Sequence, residues 1–181
     1  VMSEGIYKPN RTEVDTIAGF SHHYEIDLKN GFPLLTTKKM NGFRWKSMIH
    51  ELLWYLSGDA HIRNLREKTN IWDAWADYNG QLDTAYGRFW RRFPFPKEGI
   101  EGEAWPNDSH RWVNDGERTF DQIQYLIDTL RESPESRRLV LNSWHPANAS
   151  ISKLPPCPYT FVFNVQENRL NLHLTQRSGD I

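Results

Sequence analysis

The chain contains a single cysteine, Cys157, whose surroundings make it the first candidate for a chemical role. The flanking Pro155, Pro156 and Pro158 fix the backbone φ angle and remove amide donors, so the thiol lies outside a helix interior on a stiff backbone. Arg177 follows on a later strand, and a fixed cation of this kind stabilises a thiolate or binds a phosphate. The sequence leaves two interpretations of Cys157 open. It is either a small buried hydrophobe, the commoner role of a lone cysteine, or a nucleophile.

Other side chains that could do chemistry lie nearer the N-terminus. Glu51 borders the apolar stripe of a predicted helix, where it is either a solvated edge residue or a site acid. Trp72 and Trp75 share a face if they lie on a helical turn, and that face serves either core packing or the stacking of a heterocycle. Arg11 lies in a polar loop and is either a solvated arginine or a mobile phosphate ligand.

Composition and motifs exclude several classes of function. The formal net charge is −1, so no global basic field indicates nucleic-acid binding. One cysteine excludes an internal disulfide framework and predicts a reducing, cytoplasmic location. No apolar run reaches about 18 residues, so neither a membrane span nor a signal peptide is predicted. The sequence lacks the GxGxxG and GxxxxGK[ST] phosphate loops, and the lack of HExxH predicts no metal site.

Apolar periodicity predicts the helices that must position these residues. Residues 45–56 form the clearest helix, with Gly58 as its stop. A shorter, more polar helix is predicted over residues 61–68. A match to the capping box between Thr119 and Gln122 predicts that a third helix opens at Thr119. The apolar stripe of the first helix consists of Trp45, Met48, Ile49, Leu52, Leu53 and Leu56, and that of the third of Phe120, Ile123, Ile127 and Leu130.

Alternating residues predict the strands. Residues 16–28 and 139–144 are each predicted to form a strand, and residues 160–165 and 170–175 a hairpin joined by 166–169. Residues 93–118 are rich in proline, glycine and acidic residues and predict a surface insertion. The chain is predicted to be one domain over residues 1–181, truncated at both ends.

Eight short blocks, in one order along the chain, resemble the thymidylate synthase family. They cover the chain except for the predicted insertion, and the most specific are the Pro-Cys pair and the Gln-Arg-Ser-Gly-Asp run that follows the hairpin. The blocks are residues 10–12, 31–38, 49–54 with 58–59, 71–77, 86–87, 136–138, 156–157 and 176–180.

The resemblance implies an α+β fold in which a large mixed β-sheet is covered by helices on one face and packs back to back in an obligate homodimer. It implies a transferase of nucleotide biosynthesis, a methyltransferase that converts dUMP to dTMP. The one-carbon donor and reductant would be the folate co-substrate 5,10-methylenetetrahydrofolate, and no metal, DNA or membrane would be involved.

The resemblance also implies a role for each candidate residue. Cys157 would add to C6 of the uracil, because a soft thiolate makes C5 nucleophilic, and Arg177 would help to keep the thiol ionised. Glu51, Tyr86 and Asp180 would complete the catalytic set, with Glu51 and Tyr86 organising water and protons. The nucleotide and its phosphate would be bound by Arg11, Gln176, Arg177 and Ser178, joined by Arg137 of the partner subunit and Arg138 of the partner subunit. The folate would be bound by Lys38, Ile71, Trp72, Trp75, Leu154 and Asp180.

Two positions depart from the family pattern. Pro158 stands where histidine is common, and Val162 stands where glutamine is common. The chain also ends before the asparagine with which the family distinguishes uracil from cytosine. A deoxypyrimidine hydroxymethylase with the same Cys157 is therefore an alternative, against which Trp72 argues, because the family's indole shields the methylene intermediate from water. A non-catalytic nucleotide- or RNA-binding homologue is the second alternative.

Overall fold

A computed structural model describes residues 3–9, 14–34, 36–37, 39–82, 85–94, 112–114 and 118–179. Contacts divide the chain into two compact units, residues 1–39 and residues 40–181, which are described separately below. The single domain predicted from the sequence stays a prediction. Short helices and antiparallel strands occur together, as expected for an α+β protein. In these described ranges, no helix is long and apolar enough to cross a membrane.

The first unit contains one small strand pair. Strand β1 (Ile6–Lys8) pairs antiparallel with strand β2 (Thr16–Ala18). The strand predicted over 16–28 is wrong beyond Ala18, because residues 19–27 have no regular structure and Leu28–Asn30 form a 3-10 turn. Ser21 has a φ of 63°, which interrupts an extended chain, and Phe20 is 99% exposed. Alternating apolar residues favour a strand where one face is buried, whereas the apolar side chains of residues 20–28 are exposed.

The predicted first helix is confirmed as α1 (Gly42–Ser57). Asn41 caps its N-terminus by accepting a hydrogen bond from the Arg44 amide at 3.3 Å. Gly58 ends it in the left-handed conformation, at a φ of 75° that favours glycine. Both ends of the helix therefore follow from its sequence.

The face that α1 buries agrees with the predicted stripe only in its first half, where Trp45, Met48 and Ile49 are partly buried. Leu52, Leu53 and Leu56 are exposed, and Leu53 remains 56% exposed. Trp54 is 5% exposed, and Tyr55 is half-buried beside it. The reason is the partner surface. Aromatic residues of the neighbouring turn and helix pack against Trp54 and Tyr55, so the leucines point away from this core.

Two short helices follow. The predicted helix over 61–68 is shorter than expected and forms α2 (Arg63–Arg66), and α3 spans Tyr86–Arg91. Helix α3 approaches α1 closely at Gly87, where a Cβ would lie 2.9 Å from the Cα of Tyr55 and closer still to its carbonyl oxygen. Only glycine allows the two backbones to lie this close, so Gly87 fixes the distance between the two helices.

A small sheet and a helix come next. Strands β3 (Phe93–Pro94), β4 (Trp112–Asn114) and β5 (Arg118–Phe120) form an antiparallel sheet in the order β3-β5-β4. The rest of the predicted insertion lies outside the described residues. Helix α4 spans Gln122–Glu132, and its N-cap is Asp121, which accepts a hydrogen bond from the Gln124 amide at 2.9 Å. The predicted start at Thr119 is wrong, because that residue belongs to β5 and the nearer carboxylate is the better cap.

Helix α4 packs through part of the predicted stripe together with Leu126, which was not predicted. Leu126 is buried, with Ile123 and Leu130 partly buried against the core, whereas Ile127 is exposed. Gln122 does not complete a capping box. Its side-chain amide donates to the carbonyl of Phe89 at 2.7 Å and to that of Asn142 at 2.8 Å, and its Oε1 accepts from the Asn142 amide at 2.8 Å. One glutamine thus joins α3, α4 and the next strand.

The main described sheet has three antiparallel strands in the order β6-β7-β8. They are β6 (Val140–Asn142), β7 (Pro158–Gln166) and β8 (Arg169–Gln176), with helix α5 (Pro146–Ile151) between β6 and β7. The predicted hairpin is confirmed, and it turns at Glu167 and Asn168, which have φ of 50° and 59°. Pro158 begins β7 opposite Gln176, and a β-bulge shifts the register between Pro158 and Thr160.

One face of this sheet joins the core. Leu141, Phe161 and Leu174 lie side by side across the three strands, and Leu141 is buried. The sheet packs against an aromatic cluster on α1, the 71–76 turn and α3. Trp90 of α3 connects the two layers, since its indole donates to the Ser143 hydroxyl at 2.7 Å and its ring lies 5.5 Å from that of Phe161. Helix α3 therefore contacts both α1 and the sheet.

Candidate active site

Arg177 forms a hydrogen-bonded brace around Cys157. Its backbone amide donates to the Cys157 carbonyl at 3.0 Å. Its side chain donates through Nε to the Pro156 carbonyl at 2.8 Å and through Nη2 to the Pro155 carbonyl at 2.7 Å. The same Nη2 lies 3.6 Å from Cys157 Sγ. The prolines supply no amide donors, and the guanidinium, with donors in a rigid fork, hydrogen-bonds their carbonyls.

The Arg177 guanidinium is placed by an aromatic ring as well. Its Cζ lies 5.9 Å from the ring centroid of Trp144, and that ring contacts Tyr159 edge-on at 6.1 Å. The arginine nevertheless remains exposed. A cation held in a fixed position beside a half-buried thiol, and open to solvent, can assist an anionic sulfur and bind an anionic ligand.

Tyr86 joins the cysteine segment to the helices. Its hydroxyl accepts a hydrogen bond from the Cys157 amide at 2.6 Å. Burial raises the pKa of Tyr86 to about 12, so the phenol is neutral at neutral pH and keeps a proton to donate. Because Gly87 follows directly, the tight contact between α1 and α3 also determines where this hydroxyl lies.

Glu51 is held by two donors on one oxygen. Its Oε1 accepts from the Trp72 indole at 2.6 Å and from the Tyr55 hydroxyl at 2.7 Å. The structure therefore excludes a freely solvated edge residue, one of the two interpretations that the sequence left open. Trp72 is only 8% exposed, so it serves mainly as part of the core and as a partner of Glu51.

An aromatic cluster connects the Glu51 and Cys157 sides. The Tyr55 ring centroid lies 4.9 Å from that of Tyr86, and Trp72 lies 6.3 Å from Tyr86. Tyr55 is the residue that sequence reasoning missed. The available signal was its position four residues after Glu51, which places both on one face of α1.

Some of the candidate folate-binding residues within the described ranges lie near one another. The Lys153 ammonium donates to the Ala76 carbonyl at 3.4 Å, which brings the segment containing Leu154 to the turn that carries Trp75. Leu154 and Trp75 are partly buried, and Ile71 is half-exposed. Three candidates, Arg11, Lys38 and Asp180, lie outside the described residues.

The remaining phosphate candidates separate into two groups. Gln176 and Ser178 lie beside Arg177, with the Gln176 side chain donating to the Ser178 carbonyl at 2.6 Å. Arg137 and Arg138 are exposed, and within the described residues their guanidinium groups have no hydrogen-bond or ion-pair partner. Because β6 runs antiparallel to β7, they precede the end of β6 that lies away from Cys157. The fold does not bring them to this chain's own cysteine.

The part of the chain that the structure describes contains no group of three or more His, Cys, Asp or Glu side chains able to hold a metal ion. The described site residues offer a thiol, a fixed guanidinium, a carboxylate and a neutral phenol. This set suits nucleophilic addition with assisted proton transfer.

Comparison with known proteins gives matches of two kinds. A sequence model of the family described as thymidylate synthase matches residues 1–181. Among curated proteins, the thymidylate synthase of Haloferax volcanii is 71% identical over 181 residues, which make up 100% of this chain and 53% of that relative. The chain thus spans about half the length of the curated relative that it matches.

Proposed function

The chain belongs to the thymidylate synthase family, and from that premise we propose that it contains the nucleophilic cysteine of an enzyme that converts dUMP to dTMP with 5,10-methylenetetrahydrofolate. The observation that carries the proposal is the Cys157–Arg177 pair, with Nη2 3.6 Å from Sγ on a proline-fixed segment. A lone buried cysteine kept for packing would need neither this cation nor these proline carbonyl contacts.

In the proposed reaction the Cys157 sulfur forms a bond to C6 of the uracil, which makes C5 nucleophilic. C5 then bonds to the one-carbon unit as one of its two bonds to folate nitrogen breaks, and the C5 proton is removed. The second carbon–nitrogen bond breaks, a hydride passes from the tetrahydrofolate to the carbon to leave dihydrofolate, and the thiolate is expelled from C6, which regenerates Cys157. The folate co-substrate would supply the carbon and the hydride. Arg177 would stabilise the thiolate and bind phosphate, as its exposed guanidinium allows.

Glu51 and Tyr86 are proposed to direct the proton steps. Glu51 presents a carboxylate held by two donors, and Tyr86 presents a neutral phenol beside the Cys157 amide. Groups held at fixed positions transfer protons without first reorganising, which is what general acid–base catalysis requires.

The ligand-binding roles inferred from the sequence are proposals as well. The nucleotide would be bound by Arg11, Gln176, Arg177 and Ser178, and the folate by Lys38, Ile71, Trp72, Trp75, Leu154 and Asp180. Apolar surface at Ile71, Trp75 and Leu154 supports the folate assignment. The buried Trp72 would act chiefly through Glu51 and by excluding water.

We also propose the family's larger mixed sheet, covered on one face by helices, in a homodimer within the cytoplasm. The exposed Arg137 and Arg138, which point to the end of β6 away from Cys157, would serve the second subunit's site. Exposed Val140, Asn171 and His173, on the sheet face opposite the core, would supply part of the interface.

The decisive experiment is to mix the natural polypeptide that carries this chain with 5-fluoro-dUMP and 5,10-methylenetetrahydrofolate. The fluorine replaces the proton that must leave C5, so the reaction stops with both ligands attached. Mass spectrometry should find their summed mass on the peptide containing Cys157. The Cys157→Ala variant should bind dUMP and form no adduct. Binding of dUMP without any adduct in the unaltered protein would contradict the proposal.

Product analysis separates the proposal from the hydroxymethylase alternative. With dUMP as substrate, the expected products are dTMP and dihydrofolate. A 5-hydroxymethyl nucleotide with tetrahydrofolate would replace the proposed function by the alternative. Nucleotide or RNA binding that Cys157→Ala leaves intact, without any turnover in the unaltered protein, would indicate a non-catalytic homologue.

A further inference from the structure

Tyr55 stands out because it contacts the candidate site without having been assigned a role. It lies one helical turn after Glu51 on α1, and its hydroxyl donates to Glu51 Oε1 at 2.7 Å. Burial, followed by the negative charge of Glu51, raises the pKa of Tyr55 well above its ordinary value. The phenol is therefore protonated and acts as a donor.

Both hydrogen bonds to the Glu51 carboxylate end on the same oxygen, Oε1. The Trp72 indole, which is a donor and never an acceptor, reaches the same Oε1 at 2.6 Å. Among the described residues, no hydrogen bond ends on Oε2. Two donors on Oε1 fix the plane of the carboxylate and leave Oε2 as the oxygen that can meet water or a ligand.

Tyr55 is itself held independently of Glu51. Its backbone packs against Gly87, and its ring lies 4.9 Å from that of Tyr86 and 5.6 Å from that of Trp90. Trp54 adds a further ring at 5.5 Å. A phenol packed on several sides keeps its place when the carboxylate changes its protonation or its ligand.

We infer that Tyr55 is a positioning residue for Glu51, which holds Oε1 so that Oε2 faces the reacting nucleotide. The inference deepens the proposed function and rests on it. Tyr55 acts through Glu51 and does not touch the substrate. A purely structural tyrosine, donating to Glu51 only because its hydroxyl is buried, would contribute to stability without affecting the proton steps.

The test compares Tyr55→Phe, Glu51→Gln and the double variant in the natural polypeptide. Tyr55→Phe keeps the ring and should lower kcat about tenfold, the effect of one lost hydrogen bond, with the KM for dUMP within about twofold. In the Glu51→Gln background, adding Tyr55→Phe should change kcat less than about twofold, because the partner is already altered. Tyr78→Phe is the matched control, since Tyr78 is 96% exposed.

An equal loss of kcat in both backgrounds, or an unchanged kcat in Tyr55→Phe, would overturn the inference. A second readout needs no turnover. The Trp72 indole N–H resonance, assigned with Trp72→Phe, should shift in Tyr55→Phe because the two donors share Oε1. An unmoved resonance would also overturn it. Failure of the proposed function appears separately, as an unaltered protein that forms neither adduct nor dTMP.

Discussion

The two halves of the candidate site are held by different kinds of group. Around Cys157 most hydrogen bonds involve backbone groups: the carbonyls of Pro155, Pro156 and Cys157 accept, and the Cys157 amide donates, beside the one side-chain contact from Arg177 to Sγ. Around Glu51 they join side chain to side chain, from Tyr55 and Trp72 to one carboxylate oxygen. The cysteine is thus oriented through the path of its chain, whereas the carboxylate is oriented through its own atoms.

This difference predicts how each half responds to substitution. A change near Cys157 that disturbs the brace moves a segment of backbone, and the nucleophile moves with it. A change near Glu51 alters one side-chain contact and leaves the backbone of α1 in place.

Gly87→Ala should disturb both halves at once. The new Cβ would lie 2.9 Å from the Cα of Tyr55, so α1 and α3 must separate, carrying Tyr55 and Tyr86 apart. Overpacking against backbone should lower the free energy of unfolding by about 3 kcal/mol. Urea denaturation measures this, with Gly42→Ala as the control, since a Cβ at Gly42 meets nothing within 4 Å. Equal stability of the two variants would show that the helices tolerate separation.

Arg177→Lys should damage the cysteine half alone. Lysine keeps the charge but lacks the fork that reaches the carbonyls of Pro155 and Pro156 together. Loss of one charge-assisted hydrogen bond should cost about 2 kcal/mol, which corresponds to a fall in kcat/KM for dUMP on the order of thirtyfold. Arg169→Lys, at the exposed start of β8, is the control. If Arg177→Lys loses no more activity than Arg169→Lys, the retained charge rather than the bracing explains the role of Arg177.

At alkaline pH, the ionisation of Tyr86 should have a smaller effect, this time on the free energy of unfolding. Burial raises the pKa of Tyr86 to about 12, above the ordinary value of about 10, so the unfolded chain releases this proton first. The resulting stability is present below pH 10 and is lost as the pH rises toward 12. Tyr86→Phe should therefore lose less stability than the unaltered protein between pH 8 and pH 10.5, measured by urea denaturation.

In Tyr55→Phe the loss of stability at alkaline pH should be smaller still, because burial and the charge of Glu51 together oppose ionisation of the Tyr55 phenol. Tyr78→Phe, at an exposed position, should keep the slope of the unaltered protein. If Tyr86→Phe and Tyr78→Phe show the same slope, the phenol near Cys157 is not desolvated in solution.

The sequence predicted those elements whose local pattern agreed with their surroundings. Helix α1 combines a 3.6-residue period with Gly58 as its stop, and the hairpin β7–β8 combines alternation with a short polar turn. The strand over 16–28 was wrong because alternation needs a buried face. The helix start at Thr119 was wrong because a carboxylate two residues later provided the cap.

At the site, residue types and the family blocks identified Cys157, Arg177, Tyr86 and Glu51, and the structure links them through direct contacts and the aromatic cluster. Tyr55 could not be found this way. The apolar stripe of α1 pointed to the leucines as part of the inner face, and it does not include Tyr55. Its role depends on packing against α3, which no local pattern contains.

The β-bulge between Pro158 and Thr160 decides which residue faces the nucleophile. Thr160 lies opposite Thr175, and an uninterrupted ladder would continue so that Cys157 met Ser178. Because Tyr159 is a surplus residue in β7, Pro158 lies opposite Gln176 instead, and Cys157 comes to lie beside Arg177. The pairing of thiol and guanidinium therefore depends on the bulge as well as on the identities of the residues. If Tyr159 instead paired regularly with Gln176, each earlier residue of the strand would shift by one partner, and Cys157 would lie opposite the hydroxyl of Ser178.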